Sequence, residues 1–186
     1  MIPRTSEFLI PNCNNIEEVH NNYWAIYPAF AIMTAMNELK LIRNYLDKTR
    51  MLQIATSSNG QSWCCTVYYA FDDNMNLYWI STPDRRHSQE IILNPKVSGA
   101  IVFSQEPYPE GGVQGLQFEG VAELLSGDEE ETASKLYIEQ LTREATLLED
   151  IRSGKNPHKI YKVKPIKFVL FDSLHFPDLP RREINL

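Results

Sequence analysis

The sequence predicts a single mainly β (β plus α) domain, in which an antiparallel sheet closes into a barrel and helices pack outside it. The chain has 186 residues, the length of one domain, with 43% hydrophobic and 23% charged residues, a composition typical of globular proteins. Hydrophobic residues alternate with a period of two in several short segments between residues 51 and 172, and many of the connections are of turn length. Short connections leave little room for crossovers, so we expect antiparallel pairing.

The N-terminal part of the chain is predicted to form an extension and one helix. Residues 1–32 contain three prolines and an asparagine-rich patch without clear periodicity, which favours an extension preceding a domain that spans 33–186. Leu39, Ile42 and Leu46 then recur at helical spacing with charged residues between them. This pattern predicts an amphipathic helix in a region of regular structure that begins near residue 34.

Three strands and a short helix are predicted next. The alternating segments are 51–57, 62–71 and 76–81. Asn59 and Gly60 separate the first two and form a typical two-residue hairpin turn. Thr82 and Pro83 suit the N-cap and the first position of a helix, which should end before Pro95.

Two strands, one long helix and a final strand pair complete the prediction. The alternating segments are 97–104, 116–125, 159–164 and 166–172. Asp128 and Glu131 fit a capping box at the start of a helix over 128–152. Pro165 interrupts the last pair, so one or two strands are expected there.

Net charge and residue usage exclude several classes of protein. The formal net charge is −6 and the pI about 5.3, which argues against nucleic-acid binding because phosphate contacts require a basic face. Cys64 and Cys65 are two of three cysteines and point to opposite faces of a strand, which favours a reducing, cytoplasmic location. The four histidines lack paired spacing, so no metal site is predicted. No apolar run reaches the ~20 residues of a membrane span.

The end of the third predicted strand carries the strongest indication of chemistry. It delivers the hydroxyl groups of Ser81 and Thr82 to the start of a helix, where Arg85, Arg86 and His87 follow. Cations at this end oppose the helix dipole and need a counter-anion, for which a bound phosphate is one candidate. The alternative is that both arginines project into solvent or pair with surface acids, and the residues alone leave both open.

The order of these features resembles the FMN-binding split-barrel superfamily, the pyridoxamine 5′-phosphate oxidase-like proteins. The similar features are the strand ending in hydroxyl residues, the basic pair on a short helix, Asn94-Pro95 before a strand, and the run Gly115–Gly120 with its glutamine. The resemblance covers roughly residues 34–172. It implies a six-stranded antiparallel Greek-key split barrel with flanking helices. It also implies a homodimer that binds FMN at the subunit interface.

The resemblance implies four residues at the FMN phosphate. Arg86 and His87 match the basic pair that holds the phosphate, and His87 stands where many members have lysine. Ser81 and Thr82 match the hydroxyl-bearing strand end beside it. Because a neutral imidazole binds phosphate less strongly than lysine, flavin affinity is expected to fall as the pH rises above ~6.5.

The resemblance also implies contacts with the isoalloxazine ring. Cys65, Thr66 and Val67 match the strand whose backbone lies along the ring, and Gln117 matches a glutamine that commonly reaches the flavin from the other subunit. By residue type alone, the cysteine would be strand filler and the glutamine an ordinary amide at the barrel mouth.

Two departures from the family pattern shape the predicted activity. The C-terminal segment 176–186 lacks the Arg-x-His arrangement of true pyridoxamine phosphate oxidases, and Cys64 stands where an arginine is expected. The implied activity is therefore an FMN-dependent oxidoreductase that uses a reduced nicotinamide and an unknown acceptor, rather than vitamin B6 oxidation. The alternatives are a non-catalytic flavin- or haem-binding carrier or sensor, and a barrel used only for partner binding. No catalytic residue is assigned.

Overall fold

The computed structural model of the chain describes residues 28–102, 114–141 and 146–186. The chain divides into two units, Met1–Leu39 and Lys40–Leu186. The described part of the first unit is the beginning of helix α1, which spans Pro28–Lys48 and so starts before residue 34. Most of the predicted extension lies outside the described residues, and the division into 1–32 and 33–186 stays a prediction.

Within the second unit, the described residues form one eight-stranded sheet in which all pairings are antiparallel. The strand order is β2-β1-β5-β6-β7-β4-β3, and β8 pairs with β7. The strands are β1 Met51–Ser58, β2 Gln61–Tyr68, β3 Ala70–Phe71, β4 Leu77–Ser81, β5 Lys96–Val102, β6 Gln114–Leu124, β7 Lys159–Asp172 and β8 Arg181–Asn185. The predicted antiparallel split barrel is confirmed, with eight strands instead of six.

The additional strands have two separate causes. The predicted segment 62–71 is interrupted at Tyr69, whose amide donates to the carbonyl of Arg50 at 2.9 Å, so β2 and β3 are distinct. β8 pairs with the second half of β7, but its side chains are mostly charged and exposed. It therefore lacks the apolar alternation by which a strand is predicted.

The predicted turns agree with the structure, and Pro165 lies within a strand. Asn59 and Gly60 have φ values of 51° and 76°, as a hairpin turn of this type requires. β7 runs continuously through Pro165, where the pairing with β6 shifts register between Glu119 and Gly120. A bulge accommodates proline because proline cannot donate to the ladder.

Alternate residues of β1 and of β6 are buried and contribute to the interior of the barrel. In β1 these are Leu52, Ile54 and Thr56, all buried. Trp79 of β4 and Tyr161 of β7 are fully buried and stack with 5.3 Å between their ring centroids. On the opposite face of β4, Tyr78 packs in a second cluster with Ala133 and Tyr137 of the helix that spans Gly127–Gln140.

Three further helices are α2 Arg86–Leu93, α3 Gly127–Gln140 and α4 Thr146–Arg152. The prediction that Thr82 caps α2 is wrong, because α2 begins at Arg86 after a turn in which the amide of Arg85 donates to the carbonyl of Thr82 at 3.1 Å. None of the helices in the described part of the chain is long and apolar enough to cross a membrane.

The predicted helix over 128–152 is also wrong, since α3 and α4 are separate. Ser126 occupies the N-cap position of α3, and Glu131 binds Lys135 and Arg152 at 2.8 and 2.7 Å instead of completing a capping box. In one straight helix, Glu131 and Arg152 would lie ~30 Å apart. Their ion pair is therefore incompatible with one straight helix over 128–152.

Candidate functional site

A groove lies at the edge of the sheet between β2 and β4, which do not pair with each other. Its volume is about 420 Å³, within the ~300–1,000 Å³ typical of small-molecule sites. Its walls include residues of β2, β4 and α3 and of the segment before β7: Thr66, Val67, Tyr68, Ile80, Tyr137 and His158. Two residues that the resemblance placed along a flavin, Thr66 and Val67, thus line a cavity of suitable size.

A buried polar cluster forms beside this groove, where β2, β4 and α2 meet. His87 Nε2 lies 2.7 Å from Ser81 Oγ, and His87 Nδ1 lies 3.3 Å from Cys65 Sγ. Ser88 Oγ donates to Ser81 Oγ at 3.2 Å. Burial and the charge of Arg85 lower the pKa of His87. Three residues predicted from separate segments are therefore in contact, but both ring nitrogens of His87 face protein atoms.

Arg86 is held in place on the outer side of the same helix turn. Its Nε binds Glu90 Oε1 at 2.7 Å, and its guanidinium lies over the Trp63 ring, 4.6 Å from the centroid. The Glu90 side chain is buried and also accepts a hydrogen bond from Thr56. These two bonds lower the pKa of Glu90. Because 43% of the Arg86 side chain is exposed, the cation is fixed and yet accessible to a ligand.

The turn that leads into α2 leaves the start of the helix open. No described side chain caps α2, and its first turn contains no acidic residue. Thr82 is partly buried, whereas Asp84 and Arg85 are exposed. Hydrogen bonding to Thr82 holds the pKa of Asp84 below its usual value, and Arg85 adds to this effect. Amide groups at an uncapped helix start are donors to which anions bind.

Gln117 lies apart from these residues. In the sheet register it is opposite Ala100, which is opposite Gln53, which in turn is opposite Thr66. Three strand spacings place its backbone ~14 Å from that of Thr66. Its side chain is exposed and lines a separate cavity of about 380 Å³ on the outer face of the sheet, together with Cys64. One copy of the chain does not bring Gln117 to the groove.

The structure adds three residues that sequence reasoning did not single out. Glu90 follows Arg86 by four positions on a helix, and that spacing could have indicated an ion pair. Trp63 is distant from Arg86 in the sequence, and only the fold brings the two side chains together. His158 lines the groove, and its Nδ1 lies 2.6 Å from Asn156 Oδ1. No sequence signal distinguished it, because its neighbours in the groove come from distant segments.

Comparison with known proteins decides the family. The profile described as pyridoxamine 5′-phosphate oxidase matches residues 39–170, which include β2, β4 and α2. The chain belongs to the pyridoxamine 5′-phosphate oxidase family. This confirms the resemblance drawn from the motifs. Within this family, the described chain places Cys65, Ser81 and His87 in one cluster and Gln117 on another face of the sheet.

Three other proteins are similar to this chain in sequence or in structure. A UPF0306 protein of Yersinia pestis is 30% identical over 106 residues, which are 56% of this chain and 71% of that protein. A heme-binding protein from Mycobacterium smegmatis has a TM-score of 0.59 at 14% identity and covers 76% of this chain and 56% of its own. An FAD-binding protein from Mesorhizobium loti has a TM-score of 0.55 at 18% identity, with coverages of 70% and 89%.

Proposed function

We propose that this protein binds FMN in the groove between β2 and β4 and acts as an oxidoreductase, passing electrons between a reduced nicotinamide and an unknown small-molecule acceptor. The observation that carries the proposal is Arg86, an accessible cation held by buried Glu90 at the uncapped start of α2. FMN joins a flat ring system to a phosphate. The chain offers a suitable set of groups for each part.

The phosphate would bind where β4 ends and α2 begins. Arg86 supplies the charge, and the first amide groups of α2 supply further donors. Ser81 and Thr82 lie at the end of the strand wall that includes Ile80. Because Glu90 and Trp63 hold Arg86 in position, little side-chain freedom would be lost on binding.

The ring system would lie along the groove. Thr66 and Val67 form one wall and Ile80 and Tyr137 contribute to the other, so the ring would be held between strand backbone and apolar side chains. When bound, the flavin supplies the electron-transfer chemistry, and the protein orients the ring and limits its contact with water. Cys65 would contribute only its backbone here, because its side chain faces His87.

We further propose a cytoplasmic homodimer that brings Gln117 of one subunit to the groove of its partner. The outer face of β1, β5 and β6 carries small side chains, Ala55, Ser98 and Ala100, around the cavity that Gln117 lines. Small side chains allow close approach of a second sheet, and a two-fold axis would apply the same contact to both subunits. Cys64 is exposed and unpaired in the described chain, which favours a reducing compartment.

The absorption spectrum of the purified protein tests flavin binding. We expect bands near those of free FMN after purification or after addition of FMN, and bleaching of these bands by a reduced nicotinamide. Arg86→Ala should lose the flavin, whereas Arg181→Ala, on the distant edge strand β8, should retain it. A colourless protein that takes up no added FMN would refute the proposal.

A haem carrier is the second candidate, and His158 favours it. Its Nδ1 contact with Asn156 Oδ1 would leave Nε2 unprotonated, the arrangement common in histidines that bind a metal. His158 also lines the groove. Addition of haem should then produce a Soret band that shifts in His158→Ala but not in His175→Ala, which lies outside the groove. FMN that binds without any nicotinamide turnover would favour a carrier over an enzyme.

A further inference from the structure

The cluster around His87 decides whether this histidine can bind the phosphate directly at the proposed site. His87 is 8% exposed, and each ring nitrogen has a protein partner. A histidine that bound the phosphate directly would need one nitrogen directed at the ligand. The role of His87 must therefore pass through Ser81 or Cys65.

The charge state of the cluster follows from its surroundings. The groups that face His87 are Cys65 from β2, Ser81 from β4, Glu90 from α2, and Arg85 at the N-cap position just before α2. Burial and Arg85 lower the pKa of His87, and burial raises the pKa of Cys65 to about 11. At neutral pH the contact is thus between a neutral imidazole and a protonated thiol.

A neutral imidazole carries one N–H, so only two arrangements of protons are available. In the first, the Cys65 thiol donates to Nδ1 and Nε2–H donates to Ser81 Oγ. In the second, Ser81 donates to Nε2 and Nδ1–H donates to sulfur. Ser88 also donates to Ser81 Oγ. In the first arrangement both lone pairs of Ser81 are therefore occupied, and its own proton must be given to another acceptor.

An anion beside Ser81 favours the first arrangement. It places every donor in the chain Cys65–His87–Ser81 in the direction of the anion, so that each hydrogen bond polarises the next. The second arrangement would turn an oxygen lone pair of Ser81 toward the negative charge. The acceptor recorded for the Ser81 hydroxyl in the structure, the carbonyl of Thr82, is 3.5 Å away, too far for a strong bond.

We propose that Cys65 and His87 are positioning residues that fix Ser81 as a hydrogen-bond donor to the phosphate of bound FMN. The inference rests on the proposed function and changes the role of His87 from a charged ligand to an uncharged orienting group. The hydrogen-bonded chain Cys65–His87–Ser81 consists of neutral groups. It takes the place of the contact that a lysine would make directly with the phosphate.

Two amides that imitate different ring nitrogens test this role. In His87→Gln the side-chain NH2 takes the place of Nε2 and can still donate to Ser81, whereas in His87→Asn it takes the place of Nδ1 and cannot reach Ser81. Neither variant can carry a positive charge. Affinities are measured by titration with FMN and with riboflavin, which lacks the phosphate.

We expect Ser81→Ala and His87→Asn to bind FMN about tenfold more weakly, as for one lost bond to a charged group. Riboflavin affinity should change by less than about twofold, because riboflavin has no phosphate to accept the bond. His87→Gln should stay close to wild type, and Cys65→Ser should bind FMN better than Cys65→Ala. On a Ser81→Ala background, His87→Asn should have no further effect.

Three results would overturn the inference. Equal losses in His87→Gln and His87→Asn would indicate a charged or direct role. Parallel losses for FMN and riboflavin would indicate a purely structural role, and so would additivity with Ser81→Ala. If wild type binds neither flavin, the proposed function fails. The ¹⁵N NMR spectrum of His87 in the protein with inorganic phosphate then decides the orientation, because an Nδ1–H tautomer contradicts it and an Nε2–H tautomer supports it.

Discussion

Removal of the Glu90 carboxylate should loosen Arg86 and destabilise the end of the barrel. The Glu90 carboxylate accepts hydrogen bonds from Thr56 of β1 and from Arg86 of α2, and so joins the strand to the helix. In Glu90→Ala the hydroxyl of Thr56, which is 2% exposed, loses its hydrogen-bond partner. An unsatisfied buried hydroxyl costs ~1–3 kcal/mol. We expect the free energy of unfolding to fall by about 2 kcal/mol.

FMN binding should weaken in the same variant for a separate reason. Arg86 would have to be ordered at the moment of binding, which costs ~0.5–1.5 kcal/mol for one long side chain. That corresponds to roughly two- to tenfold weaker FMN binding. Glu90→Gln keeps an acceptor for Thr56 and should lose less stability than Glu90→Ala.

Urea unfolding and calorimetric titration with FMN measure the two effects. Glu131→Ala is the matched control, because Glu131 also pairs with a residue four positions away but lies exposed on α3. It should leave the FMN affinity unchanged and lower the free energy of unfolding by less than ~1 kcal/mol, because exposed ion pairs contribute little. Wild-type stability in Glu90→Ala would refute the argument that Glu90 anchors the helix to β1, and unchanged FMN affinity would refute the argument that Glu90 orders Arg86 for binding.

Three further predictions concern pH, packing and assembly. Burial lowers the pKa of folded His87 below 6.5, so the free energy of unfolding should fall as the pH drops below ~6.5, at most by ~1.4 kcal/mol per pH unit. Urea unfolding measured from pH 7 to 5 should show a weaker pH dependence in His87→Gln than in wild type. Equal pH dependence in the two proteins would contradict this prediction. In Gly99→Ala the new Cβ would collide with the Phe118 ring and lie 2.5 Å from the Gln53 carbonyl. The melting temperature should reflect a loss of ~1–3 kcal/mol, whereas Gly115→Ala, whose nearest neighbour is 3.9 Å away, should not. Ala100→Arg should shift the proposed dimer to monomer in light scattering, and a dimeric variant would exclude this face.

The elements that the sequence predicted well are those whose residues interact with near neighbours. The hairpin at Asn59 and Gly60, the alternating strands and the end of α2 before Pro95 depend on local backbone preferences, and the structure agrees with them. The capping box predicted at Asp128 was also a local pattern, but Glu131 forms an ion pair with Arg152 instead of capping the helix. The edge strand β8 carried no apolar pattern, because it is held by backbone pairing to β7.

The composition of the candidate site was partly visible in the sequence, and its organisation was not. The hydroxyl groups at the end of β4 and the basic residues of α2 are consecutive, so their proximity needed no fold. By contrast, the contacts of His87 with Cys65 and of Glu90 with Thr56 join residues 22 and 34 positions apart. Such contacts depend on how the sheet curves and where α2 packs, which no local pattern specifies.

The sequence by itself determined an acidic, mainly β domain with one small basic cluster, because periodicity, charge and turn chemistry act over a few residues. The tertiary structure decided what that cluster does: Arg86 stays accessible, while His87 is buried between a thiol and a hydroxyl. Adjacent positions on a short helix point in different directions, and burial favours the neutral form of one and leaves the other charged. The division of roles between Arg86 and His87 therefore belongs to the packing of α2 against the barrel.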